Sequence, residues 1–306
     1  PDMASMIHNE MRKHGIKLVL GYTVEGFREK DNGVEILLKD NPSLQADMVV
    51  LAIGVTPDTA LAKEAGLELG IKGSIVVNDR METSVPDIYA AGDAVQVKHY
   101  VTGDDALISL AGPANKQGRI IADNICGGDS HYLGSQGSSV IKVFDMTAAT
   151  TGINETNAKK SGLEVDTVIL SPMSHAGYYP GGKVMTMKVV FEKETYRLLG
   201  AQIIGYEGVD KRIDVLATAI HAGLKATQLK DLDLAYAPPY SSAKDPVNMA
   251  GFMIDNIAKG TLKQWHLEDM DKISRDKSVV LLDVRTVGEF NRGHMDGFKN
   301  IPVDEL

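Results

Sequence analysis

The sequence predicts an α/β chain divided into more than one domain. Short apolar runs at residues 48–53 and 85–89 have the length and composition of buried strands, and each is followed by small residues. Helical patterns closed by glycine alternate with them in the first half. In the second half several strand-like runs come in succession before a striped helix, the order expected of an α+β layer. A length of 306 residues suits roughly two domains.

Composition narrows the partners. Hydrophobic content of 43% and charged content of 24% are ordinary for a globular chain. The net charge of -9 argues against nucleic acid or an anionic membrane surface as main partner. The longest apolar runs fall far short of the roughly 20 residues a membrane span needs. No signal-peptide pattern is present, and a single cysteine gives no internal disulfide framework, so a cytoplasmic setting is expected. The chain begins at Pro1 inside a helical pattern and stops abruptly at Leu306, as expected for a piece of a longer protein.

In order, Met3, Ile7 and Met11 before Arg12-Lys13-His14-Gly15 give an amphipathic helix with a glycine stop. Residues 16–20 read as a strand. Residues 22–29 and 34–38 flank Asp31-Asn32-Gly33, a strong hairpin turn. Residues 48–53 then form the buried strand, ending in Gly54-Val55-Thr56-Pro57; Gly54 alone marks an ordinary turn. Residues 60–67 read as a short helix and 73–78 as a strand. A longer helix covers 110–124, with Ala114, Gly118, Ile121, Ala122 and Ile125 on its buried face. Its opening, Ala111-Gly112-Pro113-Ala114, puts proline in the first turn and leaves N–H groups that favour negative charge. Cys126 closes that helix, where partial negative charge disfavours a thiolate, so it reads as structural.

Gly127-Gly128-Asp129 and residues 134–139 make a linker. Strands are expected at 140–144, 148–153, 165–170, 184–191 and 198–204, with a short helix at 154–161. Val209, Ile213, Leu216, Ile220 and Leu224 stripe one side of a further helix. Pro246 starts the last helix of this part. Beyond it, 265–273 reads as linker and helix and 278–285 as a strand.

Three strings carry candidate chemistry. Residues 83–93, Thr-Ser-Val-Pro-Asp-Ile-Tyr-Ala-Ala-Gly-Asp, put small residues and then a carboxylate at the end of a strand, where open α/β sheets bind ligands. A bare carboxylate accepts hydrogen bonds from the hydroxyls of a sugar or ribitol chain, and it serves equally as a helix cap after a tight turn. His175-Ala176-Gly177-Tyr178-Tyr179-Pro180-Gly181-Gly182 lies between two strands. Tyr236-Ala237-Pro238-Pro239-Tyr240-Ser241-Ser242-Ala243-Lys244-Asp245-Pro246 precedes the last helix, with two prolines stiffening its backbone. A phenol can donate to a developing thiolate, although loop tyrosines taken alone usually just pack, and a lone lysine is usually solvated.

Residues 83–93 resemble the second flavin-binding motif of the pyridine nucleotide-disulfide oxidoreductases. The two tyrosine-bearing strings resemble the coenzyme A-disulfide reductase branch, which includes NADH-dependent persulfide reductases and some NADH oxidases. The resemblance implies partial nucleotide-binding βαβ domains of a glutathione-reductase-like FAD/NAD(P) two-domain fold, then an α+β dimerisation domain. It divides the chain into the C-terminal part of an NAD(P)-binding domain (1–70), the second segment of an FAD-binding domain (71–133) and the dimerisation domain (138–260). Residues 267–306, with Asp283-Val284-Arg285, Glu289-Phe290, Gly293-His294-Met295-Asp296-Gly297 and Asn300-Ile301-Pro302, resemble the first part of an α/β rhodanese domain. There Asp283 and Arg285 are largely structural.

The resemblance implies FAD, NAD(P)H and coenzyme A as cofactors or substrate. It assigns Thr83, Gly92, Asp93, Ala94 and Ala111 to FAD, sets His175 near the flavin and Gly54 near the nicotinamide. Tyr236 and Tyr179 become the catalytic pair, reaching from one subunit of a homodimer to the other's flavin and redox cysteine. Tyr179 is preferred to Tyr178 because neighbours in an extended segment face opposite sides. Asn115, Tyr178, Tyr240 and Lys244 are expected at the substrate, Lys244 against an anionic group such as a coenzyme A phosphate. The two glycine loops and the redox cysteine are expected ahead of Pro1, and the rhodanese cysteine beyond Leu306, so the chain alone is expected to be inactive. The implied activity is reduction of coenzyme A disulfide, coenzyme A persulfide or polysulfide, with no nucleic acid, membrane or metal. An NADH oxidase reducing O₂ or peroxide, and a non-catalytic dimerising or sulfur-relay scaffold, are the alternatives. The choice between NADH and NADPH stays open.

Overall fold

The computed structural model describes residues 2–306. Helix α1 (Ala4–Lys13) ends at the expected Gly15 turn, where φ is +80°. Strands β1 (Val24–Lys30) and β2 (Gly33–Leu38) form the expected hairpin, and β3 (Asn41–Ala46) adds a third antiparallel strand that the sequence did not suggest. Residues 16–20 and 48–53, both expected as strands, are irregular instead. The second run lies open to solvent, with Ile53 89% exposed. An apolar run becomes a strand only when neighbours take up its N–H and C=O groups. No strand among the described residues lies beside either segment.

After the short helix α2 (Ala60–Glu64), strands β4 (Ile75–Val76), β5 (Val95–Lys98) and β6 (Asp105–Ala106) make a small mixed sheet in that order. Met81, Val95 and Val97 form its core. Residues 85–89 are a turn rather than the expected buried strand: Asp87 sits at φ +63° and Ile88 is exposed. Pro86 cannot donate to a strand ladder, which limits the pairing here to single bridges at Thr83 and Tyr89.

Helix α3 (Ala111–Ile125) forms as expected but buries a different face. Gln117 and Asn124 are its buried residues, Ile120 and Ile121 are half-buried, and Gly118, Ala122 and Ile125 are exposed. Hydrogen bonds explain the two buried amides. Gln117 accepts from the Gly92 N–H at 2.7 Å, and Asn124 bonds Ser130 and the Arg80 carbonyl.

The next layer follows the sequence closely. Strands β7 (Ser139–Val143) and β8 (Met146–Gly152) lead to helix α4 (Glu155–Lys160), capped by Asn154, whose side chain accepts from the Asn157 N–H at 2.9 Å. Strands β9 (Val165–Leu170), β10 (Met185–Glu192) and β11 (Leu198–Gly205) complete an antiparallel sheet in the order β7-β8-β11-β10-β9. Helix α5 (Val209–His221) packs on β8 and β11 through Val209, Ile213, Leu216 and Ile220 of the expected stripe, but ends before its fifth member, Leu224, which is only half-buried. Helix α6 (Pro246–Ala258) begins at the expected proline. Met3 joins this layer through Met146 and Ile204.

The chain separates into two compact units, dividing after Asp255. The second unit, Asn256–Leu306, contains helix α7 (Met270–Ile273), strand β12 (Leu282–Asp283), helix α8 (Val287–Arg292) and strand β13 (Lys299–Asn300). Strands β12 and β13 pair in parallel. The strand expected over 278–285 shrinks to two residues, again for want of flanking partners among the described residues. Asp283 and Arg285 knit this unit together. Arg285 donates to the Asp283 carboxylate and the Gly293 carbonyl, while Asn300 donates to the carbonyls of Asp283 and Arg285.

Candidate active site

Two surfaces gather the candidate residues. The first is built where the chain turns into β5. Gly92 sits at φ +85°, a conformation glycine adopts without strain, and its N–H is held by Gln117 of α3. That bond sets the Gly92–Ala94 turn against the start of α3, where a Cβ on Gly92 would lie 3.9 Å from that of Ala114. Asp93 projects from this turn, exposed, and accepts no hydrogen bond among the described residues. The α3 start has no side-chain cap, so the first N–H groups, at exposed Ala111 and Gly112, are free of protein partners. A free acceptor beside free donors at a helix N-terminus fits a ligand that carries hydroxyls and a negatively charged edge.

The neighbouring candidates are less free. Ala94 is half-buried, and the Thr83 hydroxyl is spent on its own turn, bonding the Val85 carbonyl and N–H. Asn115 is exposed and donates to the Ala111 carbonyl at 2.9 Å. Gly54 lies in the irregular exposed run at φ +96°. Cys126 is exposed at the end of α3.

The second surface is a cleft of about 530 Å³, formed by the loop after β9, the start of α5 and the loop before α6. His175 is buried in its wall, its Nδ1 3.1 Å from the Ala176 carbonyl. Tyr179 packs edge-on against this imidazole at 5.6 Å. Tyr178 instead meets Tyr236, hydroxyl to hydroxyl at 2.7 Å. Within the chain it is thus Tyr178, not Tyr179, whose hydroxyl lies against Tyr236. Strict alternation requires an extended segment, but the Tyr179 N–H donates to the Ala176 carbonyl at 2.9 Å and closes a turn. The Tyr178 hydrogen bond pushes the Tyr236 phenol above its usual range. Tyr240 and Lys244 stand at the surface, Tyr240 72% exposed.

Sequence reasoning missed the residue under this cleft. Arg212, on α5, is 1% exposed. Its Nη2 donates to the carbonyls of Ser174 (2.9 Å) and Tyr240 (3.3 Å), to the Ser241 hydroxyl (3.1 Å) and to Asp245 (2.9 Å). Its Nε also donates to Asp245, and its Nη1 to the Gly208 carbonyl at 3.2 Å. Burial pushes the Asp245 carboxyl up, but the Ser241 hydroxyl, the Val247 N–H and Arg212 outweigh it and hold it below its usual range. The available signal was an arginine next to Ile213 on the buried stripe, together with an acid before Pro246 that read only as a helix start. Glu207 and Lys211, also on the cleft wall, were missed as well.

The family of pyridine nucleotide-disulphide oxidoreductases matches residues 1–118, and its dimerisation domain matches residues 138–246. The chain belongs to this family. Its fold is the family's mixed α/β architecture with a dimerisation domain, as the sequence predicted. Within this oxidoreductase family, the chain is 37% identical over 246 residues to the NAD(P)H sulfur oxidoreductase (CoA-dependent) of Pyrococcus abyssi, covering 80% of this chain and 54% of that protein. The structure of reduced Bacillus anthracis CoADR-RHD is 46% identical with a TM-score of 0.93, over 99% of this chain and 54% of the other. The NAD-dependent persulfide reductase from A. fulgidus is 39% identical with a TM-score of 0.91, over 99% of this chain and 55% of the other. The chain thus spans about half the length of these relatives. Among the described residues no acidic, histidine or cysteine cluster could hold a metal ion. No helix among them is long and apolar enough to cross a membrane.

Proposed function

We propose that the chain is part of a homodimeric, cytoplasmic flavoprotein that uses NAD(P)H to reduce coenzyme A disulfide, coenzyme A persulfide or polysulfide. The observation that carries this reading is the Tyr178–Tyr236 hydroxyl pair beside His175. Two adjoining phenols supply hydrogen-bond donors to a thiolate as it leaves a sulfur–sulfur bond. Tyr178 is 77% and Tyr236 45% exposed, so both are available to a centre on a partner subunit. The dimerisation domain that carries them supports that geometry.

FAD, when bound, supplies two-electron transfer between nicotinamide and sulfur. Asp93 accepts hydrogen bonds from its ribitol chain, and the free N–H groups of Ala111 and Gly112 stabilise negative charge at the ring edge. His175 packs near the ring. Asn115 and Lys244 contact coenzyme A, Lys244 through a phosphate. Nicotinamide binding near Gly54 is proposed from family membership. The second unit is proposed as the start of a rhodanese domain, which favours sulfane-sulfur substrates.

The test is NADH oxidation by the full-length protein without O₂. Coenzyme A disulfide or a persulfide should start consumption at once. Consumption that needs O₂ and ignores both sulfur compounds would contradict the proposal.

A further inference from the structure

We infer that Arg212 is a positioning residue for the tyrosine pair: its buried guanidinium holds the loops bearing Tyr178 and Tyr236 in one register. The inference rests on the reading of that pair as part of the active site. The two loops come from distant parts of the sequence, and neither is regular structure. Direct hydrogen bonds between them include the Ala176 N–H to the Ser241 carbonyl at 2.9 Å and the phenol pair itself. Arg212 supplies the rest. It grips the Ser174 carbonyl, four residues before Tyr178, and the Tyr240 carbonyl, four residues after Tyr236.

The chemistry requires this residue type. A guanidinium is a planar fork of five N–H donors, so one side chain can serve carbonyls from two loops and a carboxylate together. A lysine ammonium has three donors and no fork. Asp245 balances the buried charge, and Ser241 locks the carboxylate with a 2.6 Å bond. The backbone at the helix start is close to the guanidinium. Gly208 adopts φ +69°, and a Cβ there would lie 2.1 Å from Arg212 Nη1. Arg212 makes no hydrogen bond to either phenol and has its donors taken up by the loops, so it acts through the backbone.

The test uses the full-length, flavin-loaded protein with Arg212→Lys, and Ser241→Ala as a milder variant. Tyrosine ζ-carbon NMR, with Tyr236→Phe for assignment, follows the Tyr236 titration, while steady-state kinetics give kcat and KM. In Arg212→Lys the Tyr236 midpoint should fall toward that of an ordinary tyrosine. Turnover should drop about tenfold to a hundredfold, as for a displacement of reacting groups, with KM for NADH and flavin content unchanged. An unaltered Tyr236 midpoint in folded Arg212→Lys overturns the inference. Should that variant fail to fold, the Ser241→Ala midpoint decides in the same way. The titration needs no sulfur substrate. Absent reductase activity in the unsubstituted protein would therefore refute the functional reading, while the Tyr236 midpoint would still decide whether Arg212 sets the two loops.

Discussion

Tyr178 and Tyr179 are adjacent, yet they do different jobs. The turn at 176–179 sends the Tyr178 hydroxyl to Tyr236 and the Tyr179 ring onto His175. In the proposed enzyme, removing the Tyr178 hydroxyl takes away a donor at the reacting sulfur, whereas removing that of Tyr179 leaves its ring packing intact. In the full-length protein, Tyr178→Phe should lower kcat by about a hundredfold, the scale of a lost proton donor. Tyr179→Phe should stay within about threefold of the unsubstituted rate on the same grounds. Equal losses in the two variants would return Tyr179 to the role that its sequence position suggested. The string around the tyrosines was legible; which phenol faced which partner was not, because a turn replaces strict alternation. Asp93 stood out in the sequence for the opposite reason: its whole eleven-residue string is distinctive, and in the structure its carboxylate is exposed.

Arg212 on α5 and Asp245, just before α6, form a buried ion pair. The folded carboxyl lies below its ordinary value of 3.8. Its contribution to stability is therefore complete above that value and is lost as pH falls through the folded one. The apparent melting temperature should drop steeply below about pH 4, and Asp245→Asn should flatten that acid limb. The variant should be less stable by about 3–5 kcal/mol near neutrality, since it leaves a guanidinium buried without its counter-charge. Thermal melts of both proteins across the acid range up to neutrality measure this, and parallel acid limbs would contradict it. Elements whose partners come from nearby sequence were readable: β10, β11 and the α5 stripe formed where the pattern placed them. Residues 16–20 and 48–53 were not, because no strand among the described residues takes up their N–H and C=O groups. Arg212 escaped notice because its role depends on carbonyls contributed by two remote loops.

Within the first unit, the N-terminal helix is fastened to the antiparallel sheet. Lys188, buried on β10, bonds Asp2 and Glu155 at 2.5 Å each, Tyr206 donates to Glu10 at 2.8 Å, and His14 stacks on Phe144 at 3.8 Å. Burial pushes the Lys188 ammonium down, but its two carboxylate partners outweigh this and hold it above its usual range. The N-terminal helix and the antiparallel sheet are thus coupled, while Asp93 and the tyrosine pair remain exposed on surfaces of their own. In the proposed enzyme these surfaces serve one flavin from opposite subunits. The most direct measurement is the flavin content of full-length Asp93→Ala, read as visible absorbance per protein after gel filtration. The expected result is a dimer that elutes normally but has lost most of its bound flavin. Full flavin occupancy with unchanged NADH-dependent disulfide reduction would contradict it.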